Sequence, residues 1–350
     1  MANEKKTLRE PSFILALVPI VAMIAFMLYC FRGHSETGYH DAHLPLVMSI
    51  IVACIVGFIC GHSFQEMLAG MVERLAASME AVLILATVGF LVTSFMLSGA
   101  IPTMIVYGLD LLTPKLFLPV GCILCAIVGM ACGSSWTTTA TIGLAFLGIG
   151  AGLGIPAPIT AGMIISGAYV GDKFSPLSDT TNLAAAVAET GLFDHVTAMV
   201  STTGPTLLLS LILYTILGLN VDTSAYDATV AEGIQEAFRG AFTISPILLL
   251  PIIVVIVMCI LRVPGLVGIA ISVATATIFM MIFQSTDIYG SRALGDIFNT
   301  LHYGIGVETG NEVADSILGK AKGMDGTMWT INLILLALAY GGALERCGCV

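Results

Sequence analysis

Between Gly171 and Asn182 the chain reads GDKFSPLSDTTN, and these twelve residues hold most of its chemistry. Asp172 and Asp179 supply carboxylates, Ser175, Ser178, Thr180 and Thr181 supply hydroxyls, and Asn182 supplies an amide. All are hard oxygen donors, which suit small hard cations and not soft metals. Two carboxylates can also exchange protons for a metal ion. Lys173, beside Asp172, would hold that carboxylate ionised or act as an internal counter-ion when the cation leaves. A competing reading makes Asp172 and Lys173 a structural ion pair at a helix end, because buried charges are normally paired. Asp179 has no basic neighbour in sequence and is the better candidate for a functional carboxylate.

A second polar cluster, GSSWTTTATI at 133–142, places Ser134, Ser135, Thr137, Thr138, Thr139 and Thr141 around Trp136. Isolated Ser and Thr in apolar helices bond back to their own backbone. Six hydroxyls after a glycine exceed that need, and the segment is expected to line a hairpin or pore.

The elements that must carry these clusters are apolar. Hydrophobic residues make up 57% of the chain and charged residues 10%, and mean hydropathy is +0.99. Soluble domains carry roughly 25% charge, so the composition is that of an integral membrane protein. A charge at bilayer depth costs from about 2.5 to more than 10 kcal/mol, so it persists mainly beside a cavity, a partner or an ion. The net charge of −10, with no basic run, excludes nucleic acid as a partner. Cys122 and Cys125 form a C-x-x-C without nearby His, and they read as small buried hydrophobes.

About twenty apolar residues make a span. Candidates are 13–31, 44–60, 81–97, 116–132, 137–153, 196–219, 243–261, 265–283 and 327–344. The stretch 157–190 is too long for one straight span and too interrupted for two. Two half-helices joined by an unwound segment at Pro176 fit it, and such backbone is tolerated at membrane depth only beside protein or water. With that piece as one crossing, roughly ten spans are expected. Lys5, Lys6 and Arg9 place the N-terminus in the cytoplasm, and the acidic segment 221–242 and the loop 284–326 then lie outside.

An offset of 249 residues aligns 66–101 with 315–350 without a gap. Glu66 meets Asp315, Gly70 meets Gly319, Met79 meets Met328 and Gly99 meets Gly348. In the expected topology the two units enter from opposite sides, as in inverted-repeat transporters. The fold class is therefore all-α: a polytopic transmembrane helical bundle with inverted-topology repeats and broken or re-entrant helices. Residues 1–220 would form the first repeat with complete polar segments, 221–242 an extracytoplasmic acidic loop, and 243–350 a second repeat without its polar half. A truncated chain is the expectation this raises.

At these residues the chain resembles the NhaC-type sodium/proton antiporters of the ion transporter superfamily. GDKFSPLSDTTN looks like that family's signature, and GSSWTTTATIGLAFLGIG resembles its upstream hydroxyl-rich segment. The resemblance implies a cation and proton site at Asp172, Ser175, Asp179, Thr180 and Asn182, to which the residue reading adds Ser178 and Thr181. It also implies a facing hairpin at Ser134, Ser135, Thr137 and Thr138. Asp172 and Asp179 would hold Na⁺. No cofactor is expected beyond the transported Na⁺ and H⁺. The implied partners are Na⁺ or Li⁺, H⁺ and the lipid bilayer, with room for a homo-oligomer, in a multi-pass protein of the cytoplasmic membrane.

Antiport by alternating access is the reading this supports. Exchange of a carboxylate such as malate or lactate with Na⁺ and H⁺ keeps the fold and changes the substrate. An intramembrane hydrolase fits worse: only His195 lies near the two Asp, no metal motif exists, and no enzyme is expected. An inactive fragment is the remaining alternative.

Overall fold

The structure, a computed structural model, describes all residues except 1–8, 33–40, 176–177, 179, 182–183, 186–187, 189, 221–227, 262, 305 and 320. Asp179 and Asn182 therefore lie outside the described residues. Those that are described form helices and no strand. In chain order the helices are α1 (Phe13–Phe31), α2 (His43–Ile59), α3 (Phe64–Ala77), α4 (Met79–Leu97), α5 (Ala100–Leu111), α6 (Pro114–Cys132), α7 (Ser135–Thr138), α8 (Leu144–Gly152) and α9 (Ala157–Phe174). They continue as α10 (Leu192–Leu219), α11 (Ala228–Ala241), α12 (Leu250–Ile260), α13 (Gly265–Phe283), α14 (Thr286–Tyr289), α15 (Leu294–Tyr303), α16 (Glu312–Leu318) and α17 (Asp325–Arg346). The chain divides into two compact units, Met1–Ala86 with Thr327–Val350, and Thr87–Gly326.

Among the described residues four helices are long and apolar enough to cross a membrane, or six spans if each bent helix pair counts as one. Breaks in the helix shorten some of the other expected spans. His43–Ile59, Ala100–Leu111 and Pro114–Met130 are apolar but shorter. The expected span 243–261 is one such case. Ser245 is extended, a 3₁₀ turn follows at Pro246–Leu249, and only Leu250–Ile260 is α-helical.

The acidic segment and the stretch 284–326 both contain helices. Within the acidic segment, α11 buries Ala231, Ile234 and Phe238 at helical spacing. In the stretch 284–326, α15 buries Ile297 and Leu301, and α16 buries Ala314 and Ile317.

α4 and α17 begin at or near the paired Met79 and Met328, and each is followed by a glycine of left-handed φ: Gly99 at 83° and Gly348 at 72°. Only glycine takes that conformation without steric cost.

In the first unit, Ser63 and Glu66 close a capping box at the start of α3. Asp41 ties the start of α2 to α17. Its Oδ1 lies 2.6 Å from His43 Nδ1, and its Oδ2 accepts from Trp329 Nε1 at 2.9 Å. His43 Nε2 lies 3.2 Å from the Trp329 carbonyl, so both ring nitrogens face acceptor oxygens. The His43 bond, with help from Trp329, lowers the Asp41 carboxyl to about 2. Its ordinary value is about 3.9. Because the folded value is depressed, this contribution is complete above pH about 4 and is lost as pH falls through about 2. The fluorescence of Trp329 in a Trp136→Phe background is expected to shift across that window. In Asp41→Asn it should stay flat, and an identical acid transition in both chains would contradict the assignment.

Candidate functional site

The second unit holds the candidate site where α9 lies against α6. α9 buries one stripe (Ile164, Gly167, Ala168, Gly171 and Asp172) and exposes another (Ile165, Tyr169 and Lys173). The close approach depends on glycine. A Cβ on Gly167 would meet the Cys122 carbonyl and Cys125 Cβ, and one on Gly171 would meet the Ala126 carbonyl and lie 2.7 Å from Met130 N. Cys122 and Cys125 are thus buried packing residues, as their apolar setting suggested.

The helix ends at Phe174. Ser175 is extended (φ −81°, ψ 123°), the conformation favoured before a proline, whose ring disfavours the helical region at that position. The chain then folds back on the helix end. Ser175 N donates to the Asp172 carbonyl at 3.1 Å, and Thr181 Oγ1 donates to the Asp172 and Lys173 carbonyls at 3.3 and 3.2 Å. Ser178 Oγ accepts from Thr181 N at 3.3 Å and lies 2.9 Å from Thr180 Oγ1. Carbonyls that a continuing helix would have used are thereby partly satisfied by side chains.

The facing segment begins where Gly133 ends α6 in the left-handed region (φ 63°). Ser134 then caps α7, its Oγ accepting from Thr137 N at 3.2 Å. A π-helical turn, Thr139–Gly143, joins α7 to α8. Such insertions interrupt the regular ladder and recur at functional sites.

These two segments meet at Asp172. The residue is 8% exposed, and its Oδ2 accepts from Ser135 Oγ at 3.0 Å. Its Oδ1 is buried and finds no hydrogen-bond partner among the described residues. An unpartnered buried carboxylate oxygen is costly unless a proton or a cation completes it.

Of the expected site residues, Asp172, Ser135, Ser175, Ser178 and Thr181 are buried and gathered at the end of α9. Thr180 is exposed. Lys173 is exposed and forms no ion pair among the described residues, so neither the counter-ion nor the ion-pair reading has a contact here. Successive helix residues point about 100° apart, which turns Lys173 away from the face that buries Asp172.

The hydroxyl-rich segment is also simpler than expected. Thr138, Thr139 and Thr141 donate to the carbonyls of Ser134, Ser135 and Thr137, at 2.9, 2.8 and 2.7 Å. Thr137 Oγ1 bonds Ser134 Oγ at 3.2 Å. Back-bonding therefore accounts for three of the six hydroxyls, and Ser135 alone among them bonds Asp172. Among the described residues no cluster of three His, Cys, Asp or Glu side chains could hold a metal ion.

Gln284 is a polar residue that sequence reasoning passes over. It is buried at the end of α13, where its Nε2 donates to the Ser98 carbonyl at 3.0 Å and its Oε1 accepts from Thr243 N at 3.0 Å. One side chain thus joins two helix breaks, the left-handed Gly99 and the turn before Pro246. No local pattern signals contacts this distant in sequence.

Removing the Ser135 hydroxyl strips Asp172 of its only described side-chain bond. A hydrogen bond to a charged group is worth about 1.5 kcal/mol or more, roughly tenfold in affinity. Ser135→Ala is expected to lower the affinity of the purified chain for a hard cation by about that factor. An unchanged value would remove Ser135 from the site.

A family model described as the Na⁺/H⁺ antiporter family matches residues 167–350, a stretch that includes all of GDKFSPLSDTTN. The chain belongs to the Na⁺/H⁺ antiporter family. It is 36% identical over 343 residues to an arginine/ornithine antiporter of Halobacterium salinarum, covering 97% of this chain and 68% of that protein. A Na⁺/H⁺ antiporter of Alkalihalophilus pseudofirmus is 34% identical over 310 residues, 89% of this chain and 65% of its own length. A malate-2H⁺/Na⁺-lactate antiporter of Bacillus subtilis is 33% identical over 345 residues, 98% of this chain and 71% of its own. The chain thus spans about two thirds of the length of these relatives. No solved structure matches it.

Proposed function

We propose that this chain is a secondary transporter exchanging Na⁺ (or Li⁺) for H⁺ across the cytoplasmic membrane. The observation that carries the reading is the buried Oδ1 of Asp172, left without a partner among the described residues beside Ser135 at the broken end of α9. A carboxylate in that position binds either a proton or a hard cation, and the two exclude each other because both need the same oxygen. Ser135, Ser175, Ser178 and Thr181, with the carbonyls at the end of α9, would complete the oxygen shell. Asp179 and Asn182 would join them on the strength of the motif alone.

Na⁺ entering from one side displaces the proton, and reprotonation from the other side releases Na⁺. The repeat signalled by Gly99 and Gly348 would supply the two access states, with the N-terminus in the cytoplasm. Membership of the family and the similarity to Na⁺/H⁺ antiporters support the ion assignment. The test is the decay of an imposed pH gradient in everted vesicles on adding Na⁺, Li⁺, K⁺ or choline. Decay with Na⁺ or Li⁺ alone is expected; equal decay with K⁺ or choline would contradict it.

A further inference from the structure

The first unit carries a pair of thiols at the end of α17. Gly348 follows the helix in the left-handed region (φ 72°). Its N–H donates to the Glu345 carbonyl at 3.2 Å, and Cys349 N donates to the Leu344 carbonyl at 3.0 Å. This double closure folds the chain back over the last helical turn. It brings Cys349 beside Cys347, with the two sulfurs 3.1 Å apart. A disulfide bond is about 2.05 Å long, so the sulfurs need to close by only about 1 Å. Cys347 is buried in the apolar cluster that also holds Cys54 and Met67, and Cys349 packs at its edge, partly exposed. The exposed Glu345 and Arg346 set this end of α17 at water, where a soluble oxidant reaches Cys349.

Two features favour sulfur–sulfur chemistry over metal binding. Among the described residues no third His, Cys, Asp or Glu completes a metal site. Burial, together with the Cys347 hydrogen bond, pushes the Cys349 thiol up to about 12, so the reduced pair gains no stability from an ionised Cys349. A reduced form stabilised as thiolate is what makes some pairs resist oxidation.

We propose that Cys347 and Cys349 form a reversible dithiol–disulfide pair whose oxidant is a small soluble disulfide. The Cys349 sulfur, as thiolate, attacks one sulfur of the oxidant and expels a small thiolate. Cys347 then attacks the Cys349 sulfur of the mixed disulfide and expels the second. The two thiol protons pass to the departing thiolates, the protein sulfurs lose two electrons, and the small disulfide gains them. The proposal is independent of the Na⁺ reading.

The test equilibrates the detergent-purified full chain in mixtures of reduced and oxidised glutathione. Free thiols are then alkylated, and the peptide beginning at Cys347 is released by cleavage after Arg346 and its mass measured. In oxidising mixtures it should be unalkylated and two hydrogens lighter, and dithiothreitol should reverse this. Unfolding the chain in SDS should raise the oxidised-to-reduced glutathione ratio at half conversion by about tenfold, because the folded helix end holds the sulfurs together. Cys347→Ser should stop at glutathione held on Cys349. Alkylation of both thiols in every mixture, a bond from either to Cys54 or Cys60, or equal conversion of folded and unfolded chain would each overturn the proposal.

Discussion

Asp172→Asn is expected to reduce Na⁺-dependent dissipation of a pH gradient by at least about 100-fold, equivalent to about 2.7 kcal/mol. Asparagine has nearly the shape of aspartate and can still accept from Ser135 Oγ, so the junction between α9 and the hydroxyl-rich segment is kept. It cannot carry a negative charge or take up a proton, and both are required of the exchanging group. The thermal stability of the variant separates function from structure. A buried carboxylate oxygen without a partner costs stability, so its replacement by a neutral amide should leave the melting temperature equal or higher. Retained exchange, or a strongly lowered melting temperature, would make Asp172 a structural residue.

Gly171→Ala is expected to destabilise the chain by about 1–3 kcal/mol, the usual cost of forcing one extra carbon into a filled interface. The added Cβ would run into the Ala126 carbonyl and Met130 N, backbone atoms that cannot rotate aside. It would also move the neighbouring Asp172 away from Ser135, so exchange should fall along with stability. Gly162→Ala, on the same helix, is the matched control. Its Cβ would meet only Tyr214 Oη at 3.5 Å, and alanine is favoured over glycine within a helix by about 1 kcal/mol. Thermal unfolding in detergent should place Gly162→Ala at or above wild type and Gly171→Ala clearly below. Equal effects would show that α6 and α9 do not depend on that contact.

Much of this arrangement is legible in the order of the amino acids. Pro176 marks the break, and Ser175 is extended because of it. The long apolar runs point to a membrane, and Asp172 stands out because an ionisable group among them needs a reason. The outward turn of Lys173 is also readable, since neighbours on a helix do not share a face. Helix α11 is readable too. Ala231, Ile234 and Phe238 recur at helical spacing, but the acidic residues between them suggest a loop. The division of labour among the hydroxyls is not readable. Ser135 reaches Asp172 whereas Thr138, Thr139 and Thr141 bond their own helix, and this depends on the left-handed turn at Gly133 and the π-helical turn after Thr138. Gln284 is equally hidden, because Ser98 and Thr243 are remote in sequence and meet it only through packing.

The most direct test of the central claim is proton release on Na⁺ addition to the purified chain in weakly buffered detergent solution. If Na⁺ and H⁺ compete for Asp172, Na⁺ should release protons from the wild-type chain, choline should release none, and Asp172→Asn should be silent. Na⁺ binding without proton release, or equal release from Asp172→Asn, would contradict a shared carboxylate at this site.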